Sequence, residues 1–176
     1  MRYPKYAFVA VVGIAAGLFE SVFVTFLGGW TSWVRPIIPL VVFLVVLERR
    51  NFALFFCLSA GLVMDAFILG PPTLAVWRLL LAAAVMSAVA DKVLTNRSVY
   101  AAAMLVVLGR LVDFSWLWLE QLLFDLRGIP ADLVPARSEA LGILVWDLGL
   151  TVGLFLFGMY VLRHYLRPRR MLNRYV

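Results

Sequence analysis

Long apolar runs, separated by short breaks rich in polar residues, glycine or proline, dominate the pattern of this chain. A run of about 20 apolar residues predicts a helix that can cross the hydrocarbon core of a bilayer, because each residue advances it by roughly 1.5 Å. The breaks separate six runs, and the second is the shortest. The predicted helices cover residues 6–27, 34–47, 52–69, 73–90, 99–124 and 140–162.

The composition supports the same interpretation. Hydrophobic residues make up 64% of the chain and charged residues only 15%, whereas soluble domains are about half apolar and about a quarter charged. A core of 176 residues cannot hide this much apolar surface from water. We therefore expect an all-α polytopic membrane protein with a single transmembrane domain, an uncleaved first helix and a basic tail over residues 163–176.

The net charge of +6 lies mainly at the ends of the apolar runs and in the tail. This distribution argues against nucleic-acid binding and favours anionic lipid as the partner of the tail. With both termini in the cytoplasm, 11 Lys and Arg residues face inward and three face outward, as the positive-inside rule requires. Every Trp then falls in the outer half and every Tyr near the inner face. We expect a multi-pass protein of the inner membrane with both termini cytoplasmic.

Ionisable residues at membrane depth need a partner or water. Asp65 and Arg78 lie at similar distances before and after Pro71, so two antiparallel helices would place them at one depth. The sequence predicts a structural ion pair between them. A contact of either side chain with a partner or ligand is the alternative.

Further ionisable residues share the outer half of the predicted bundle. Arg110, Asp113 and Glu120 lie on one face of the fifth helix, and Arg110 and Asp113 have the spacing of a local pair. A polar stripe on a spanning helix must face other helices or a wet cavity. Structural pairing and a polar pocket or partner contact remain open for this set, which is completed by two residues on other helices, Glu20 and Asp147.

Glycines recur at spacings that let helices approach closely. Two of them share a face of the first helix, one precedes Asp65 by a turn, and three share a face of the sixth helix. They are Gly13, Gly17, Gly61, Gly142, Gly149 and Gly153. These faces pack either within the bundle or against a partner helix.

We find no pattern typical of catalysis. The one histidine, His164, lies in the basic tail, and the one cysteine, Cys57, lies inside an apolar run. Phosphate-binding loops, nucleophile elbows and metal-ligand spacings are missing from the sequence. We expect no enzyme activity, no catalytic residue, no metal and no cofactor.

One segment resembles a known family. Gly61-Leu62-Val63-Met64-Asp65, followed after five residues by Pro71-Pro72-Thr73-Leu74, resembles the signature of the MreD family of rod shape-determining membrane proteins. The preceding short helix, which opens with Arg35-Pro36 and ends at Glu48-Arg49-Arg50, is similar as well. The resemblance covers residues 35–90 and departs at Thr73, where the family has glycine.

The resemblance implies a non-enzymatic scaffold of the bacterial cell-elongation machinery that helps to position peptidoglycan synthesis. Its implied partners are a bitopic MreC-like protein and, indirectly, MreB, RodA and a class B penicillin-binding protein. It also implies a fold similar to the S components of ECF vitamin transporters, so a substrate-binding transporter subunit is the alternative. A third hypothesis is that the protein is a membrane enzyme of lipid metabolism. The connection over residues 124–139 would be a spacer, a lid or a docking loop.

Overall fold

The computed structural model describes residues 3–23, 33–47, 50–67, 74–93, 99–129 and 133–161. These residues form helices without any strand, so the protein is an all-α polytopic membrane protein. We number the α-helices α1 to α6 in chain order. They are Tyr3–Leu18 (α1), Ile37–Val46 (α2), Arg50–Phe67 (α3), Ala75–Val93 (α4), Val99–Leu126 (α5) and Arg137–Val161 (α6).

Four of the described segments are long and apolar enough to cross a membrane. They are Lys5–Val22, Arg50–Phe67, Val99–Leu126 and Arg137–Gly158. Helix α4 has 19 residues, but Arg78, Asp91 and Lys92 give every 18-residue window within it three charges. The charge of α4 is therefore what distinguishes it from the four spanning candidates.

Helix α2 is the short helix that the sequence predicts. It has only 10 residues, about 15 Å of rise, which is about half of a hydrocarbon core. It begins after Pro36, and Pro39 stands in its first turn, where a missing backbone N–H removes no intrahelical hydrogen bond. The helix begins three residues after the predicted start at about residue 34, because residues 34–36 are not helical.

The longer helices pack around α2. Helix α3 lies between α1 and α4, and α5 lies between α4 and α6. Helix α2 packs against α3, α4, α5 and α6 and touches α1 more lightly. Its aliphatic side chains Ile37, Ile38, Val41 and Val42 are at most 1% exposed, so branched hydrocarbon fills the axis of the bundle.

The far end of α1 changes its hydrogen-bonding pattern. Residues Phe19–Phe23 form a π-helical segment that continues directly from α1. A π-helical turn is wider than an α-helical turn and is often found at functional positions. This segment carries Glu20, whose side chain faces the interior and is only 8% exposed.

The end of α5 is closed by a glycine cap. Gly128 has a positive φ of 69°, and the N–H groups of Gly128 and Ile129 donate to the carbonyls of Asp125 and Phe124 at 3.0 Å each. This is the Schellman arrangement, which uses carbonyls that the helix end leaves free. The connection then folds back, because the Leu133 N–H donates to Oε1 of Gln121 at 2.8 Å.

Several sequence predictions lie outside the described residues. They include the turn at Gly70-Pro71-Pro72-Thr73, which carries part of the family resemblance, the predicted ends of the first, third and sixth helices, and the basic tail over residues 163–176.

Candidate functional site

Arg110 is the centre of a buried polar cluster. Its guanidinium donates to Asp147 on α6, to Asp113 on its own helix at 3.0 Å, and to the backbone carbonyl of Arg35 at 3.3 Å. The Arg110 side chain is only 3% exposed. A buried guanidinium needs several acceptors to replace its water, and these three bind α5 to α6 and to the chain just before α2.

Asp113 extends the cluster to α4. Its second carboxylate oxygen lies 2.9 Å from Nε of Arg78, in an ion pair without the alignment of a directed hydrogen bond. One carboxylate thus lies between two arginines, Arg78 and Arg110, as the i, i+3 spacing on α5 predicts for the second of them. We call Arg78, Arg110, Asp113 and Asp147 the arginine network.

The predicted ion pair between Asp65 and Arg78 is wrong. Both oxygens of Asp65 accept hydrogen bonds from backbone N–H groups, those of Ala75 at 2.7 Å and Val76 at 3.2 Å. Arg78 pairs with Asp113 instead. Asp65 is therefore an N-terminal cap of α4 supplied by the neighbouring helix.

The physical reason lies in the first turn of α4. A helix begins with four backbone N–H groups that have no intrahelical acceptor, and its N-terminus carries partial positive charge. Gly61 lets α4 come close, because a Cβ there would lie 2.6 Å from Cα of Val76. Close approach therefore brings backbone donors, rather than the long side chain of Arg78, to Asp65.

A second carboxylate caps the same helix end. Oε1 of Glu120 accepts from the N–H of Leu74 at 2.9 Å and from Nε1 of Trp116 at 2.7 Å. Its other oxygen is buried without a hydrogen-bond partner. The polar face of α5 thus points inward along its length, with Arg110, Asp113 and Glu120 all buried.

Glu20 and Arg35 form the least satisfied part of the site. Oε2 of Glu20 and Nε of Arg35 are buried without hydrogen-bond partners. The charged groups that act on Glu20 belong to Arg35, Arg110, Asp113 and Arg78. Glu20 therefore lies beside the arginine network and contributes the third carboxylate to three arginines.

Sequence reasoning missed Arg35 as a site residue and counted it only as one of the three outward-facing basic residues. The signal was the shortness of α2: a 10-residue helix leaves one of its ends inside the bilayer rather than at its surface. A basic residue immediately before such a helix is carried to membrane depth, where it needs acceptors.

The glycines divide into two groups. A Cβ on Gly13 would lie 2.8 Å from the carbonyl oxygen of Phe56, and one on Gly17 would lie 2.7 Å from that of Ala60. Both therefore serve the contact of α1 with α3. A Cβ on Gly142 would meet the ring of Trp33 at 2.6 Å.

Gly149 and Gly153 differ, because a Cβ on either would meet no other described residue within 4 Å. Both lie on an exposed face of α6. We call this face, with its neighbours Trp146, Leu156 and Phe157, the glycine face of α6.

Comparison of the chain with models of known families, with curated proteins and with solved structures gave no match. Among the described residues, no group of three or more His, Cys, Asp or Glu side chains is arranged to hold a metal ion. The site is therefore defined by its own geometry: a layer of paired charges inside the bundle and an open glycine face outside it.

Proposed function

We propose that this protein is a non-enzymatic membrane scaffold of the cell-elongation machinery, of the MreD type, and that it binds the transmembrane helix of a bitopic partner. The sequence resemblance over residues 35–90 supports the family. The observation that carries the binding mode is the glycine face of α6, where a Cβ on Gly149 or Gly153 would meet no atom of the described residues within 4 Å.

Helices α1 and α6 both carry a glycine pair of the same spacing, so the packing of one pair can be compared with that of the other. Because Gly13 and Gly17 have no side chains, α1 packs directly against the backbone of α3. Within a bilayer, close packing of helices is a main source of association energy, since lipid tails are as apolar as the helices. The same spacing on α6 offers that packing to a helix from another chain.

The arginine network supports the scaffold role. Arg110 has three acceptors, and Asp65 uses both oxygens on backbone donors. Groups that are already paired hold helices at a fixed spacing, so α6 presents the glycine face from a rigid base. The scaffold would present this face to an MreC-like partner and, through it, act on peptidoglycan synthesis.

A photo-crosslinking amino acid at Leu156, one turn beyond Gly153, tests the binding mode in cells. We expect capture of one bitopic membrane protein, and about tenfold less capture when Gly149→Leu and Gly153→Leu are added. A crosslinker at Leu111, an equally exposed residue on α5, is the matched control and should not capture that protein. Equal capture at both positions would refute a partner site on α6.

Cell shape tests the process. Depletion of the protein from a rod-shaped host should give rounded cells, and the doubly substituted variant should fail to restore rods although it is inserted normally. Unchanged cell shape after depletion would count against the elongation role and leave the helix-binding result to stand alone.

A transporter subunit is the second candidate function. The observation in its favour is that two of the buried polar atoms without hydrogen-bond partners, Oε2 of Glu20 and Nε of Arg35, are ones that a polar ligand could satisfy. Saturable binding of a small metabolite by the purified chain, lost in Glu20→Gln and retained in Gly153→Leu, would decide for this function.

A further inference from the structure

A groove without any polar lining lies between α1, α2 and α3. Its wall on α1 is formed by Phe8, Val9 and Val12, and its floor by Leu40, Leu44 and Phe56. It encloses about 370 Å³, including the part that is open to the surroundings. Phe8 lies at its mouth and is 70% exposed, so the groove opens toward the bilayer.

A basic side chain stands at one end of this groove. Lys5, Val9 and Val12 follow the i, i+4, i+7 spacing of one face of α1. Lys5 is exposed and precedes Val12 by about 10 Å along the helix axis. Arg50, at the start of α3, is exposed at the same end of the bundle, where it forms an ion pair with Asp91.

We propose that this groove binds one acyl chain of an anionic phospholipid, with the phosphate of the headgroup next to Lys5. An apolar groove that opens into hydrocarbon stays dry, because water there would have no polar partner. Hydrocarbon therefore fills it, and the ammonium group at its end selects a negative headgroup.

The width of the groove favours a hydrocarbon chain over a helix as the occupant. An α-helix with its side chains is about 10 Å across, so it could only lie over the mouth of a groove of about 370 Å³ that includes open space. Several methylenes of an acyl chain can enter the groove, while the rest of the chain stays in the bilayer. A flexible methylene chain follows such a channel without the cost of reshaping three packed helices.

Native mass spectrometry of the purified full chain, exchanged into mixtures of palmitoyl-oleoyl phosphatidylglycerol and phosphatidylcholine, tests the proposal. We expect one retained phosphatidylglycerol per chain. Leu44→Trp and Val12→Trp fill the groove and should each reduce retention at least tenfold. Leu62→Trp, on the exposed face of α3, is the matched control and should retain the lipid.

Lys5→Gln distinguishes the contribution of the headgroup to lipid binding from that of the acyl chain. It should lower the preference for phosphatidylglycerol over phosphatidylcholine about fivefold, the factor that corresponds to roughly 1 kcal/mol for one basic side chain near an anionic surface. Total lipid retention should persist. An unchanged preference would overturn the assignment of the headgroup to Lys5.

A photo-crosslinking amino acid at Phe8 covers the case in which the tryptophan variants do not fold. In cells it should add the mass of a phospholipid to the chain. An adduct with another protein, or with a second copy of this chain, would overturn the proposal, as would full lipid retention by folded Leu44→Trp and Val12→Trp.

Discussion

At the scale of the residue, Arg110 shows how a charge can be kept inside a membrane protein. Its three acceptors come from α5, from α6 and from the chain before α2. Each acceptor offsets part of the cost of removing the guanidinium from water. The complete network stabilises the fold more than its separate pairs would, since removal of one partner leaves an uncompensated charge at membrane depth.

We predict that Asp147→Leu is strongly destabilising, by about 3–5 kcal/mol, because Arg110 loses a buried partner. Arg110→Met combined with Asp147→Leu should be milder than Asp147→Leu alone, since Asp113 still pairs with Arg78. Melting temperatures in detergent measure both. Arg127→Met, at an exposed arginine, is the control, and a double variant as unstable as the single one would contradict this account.

Asp65 makes a different prediction, because its partners are backbone N–H groups. Asp65→Ala should cost about 0.5–2 kcal/mol, the range found for lost N-terminal caps. A double-mutant cycle should give little coupling between Asp65 and Arg78, and clear coupling between Arg78 and Asp113. Coupling of Asp65 with Arg78 above about 1 kcal/mol would reinstate the ion pair that the sequence suggested.

These two residues show where sequence reasoning reaches its limit. The buried side chains Glu20, Arg110, Asp113, Glu120 and Asp147 were recognisable, because ionisable residues inside apolar runs must face the interior. Their pairing was not, since several groups of opposite charge lie at one depth. Sequence gives depth, whereas the rotation of each helix about its axis decides which groups meet.

At the scale of the element, closeness of approach separates helices that look alike in sequence. Helices α1 and α6 carry glycine pairs of the same spacing, yet within the described part of the chain the pair Gly13 and Gly17 lies against another helix and the pair Gly149 and Gly153 does not. Composition cannot distinguish the two, because the difference depends on which helix packs beside each face. The short central helix α2, by contrast, follows directly from its length and its prolines.

We predict opposite effects of one substitution on these two helices. Gly17→Leu should destabilise the protein by more than about 3 kcal/mol, because the added side chain meets the backbone of α3 rather than flexible atoms. Gly149→Leu should change stability by less than about 0.5 kcal/mol, as for an open surface position. Thermal unfolding of the purified variants measures the difference, and equal losses would show that α6 is also packed.

At the scale of the whole molecule, the bundle has a polar layer and an apolar layer. The arginine network and the capping carboxylates join α3, α4, α5, α6 and the chain before α2, beyond one end of α2. Aliphatic side chains occupy the level of α2 itself. The sequence predicts that the polar layer lies toward the outer face, because basic residues favour a cytoplasmic position for both termini.

Cysteine labelling tests this orientation. Ile129→Cys, in the connection between α5 and α6, should react with an impermeant maleimide in intact cells, whereas Asn173→Cys in the tail should react only after lysis. Cys57 is fully buried and provides the unreactive background. Labelling of both introduced cysteines from the same side would contradict cytoplasmic termini.

The position of α2 has a consequence for permeation. An ion or a chain of water molecules along the bundle axis would have to pass the tightly packed side chains of Ile37, Ile38, Val41 and Val42. A bare charge in such a stretch of hydrocarbon costs tens of kcal/mol. The charged layer is thus a dead end rather than part of a conduit. Liposomes that contain this protein should hold a proton gradient as long as liposomes without it. A cell can therefore accumulate many copies of the protein without dissipating its membrane potential.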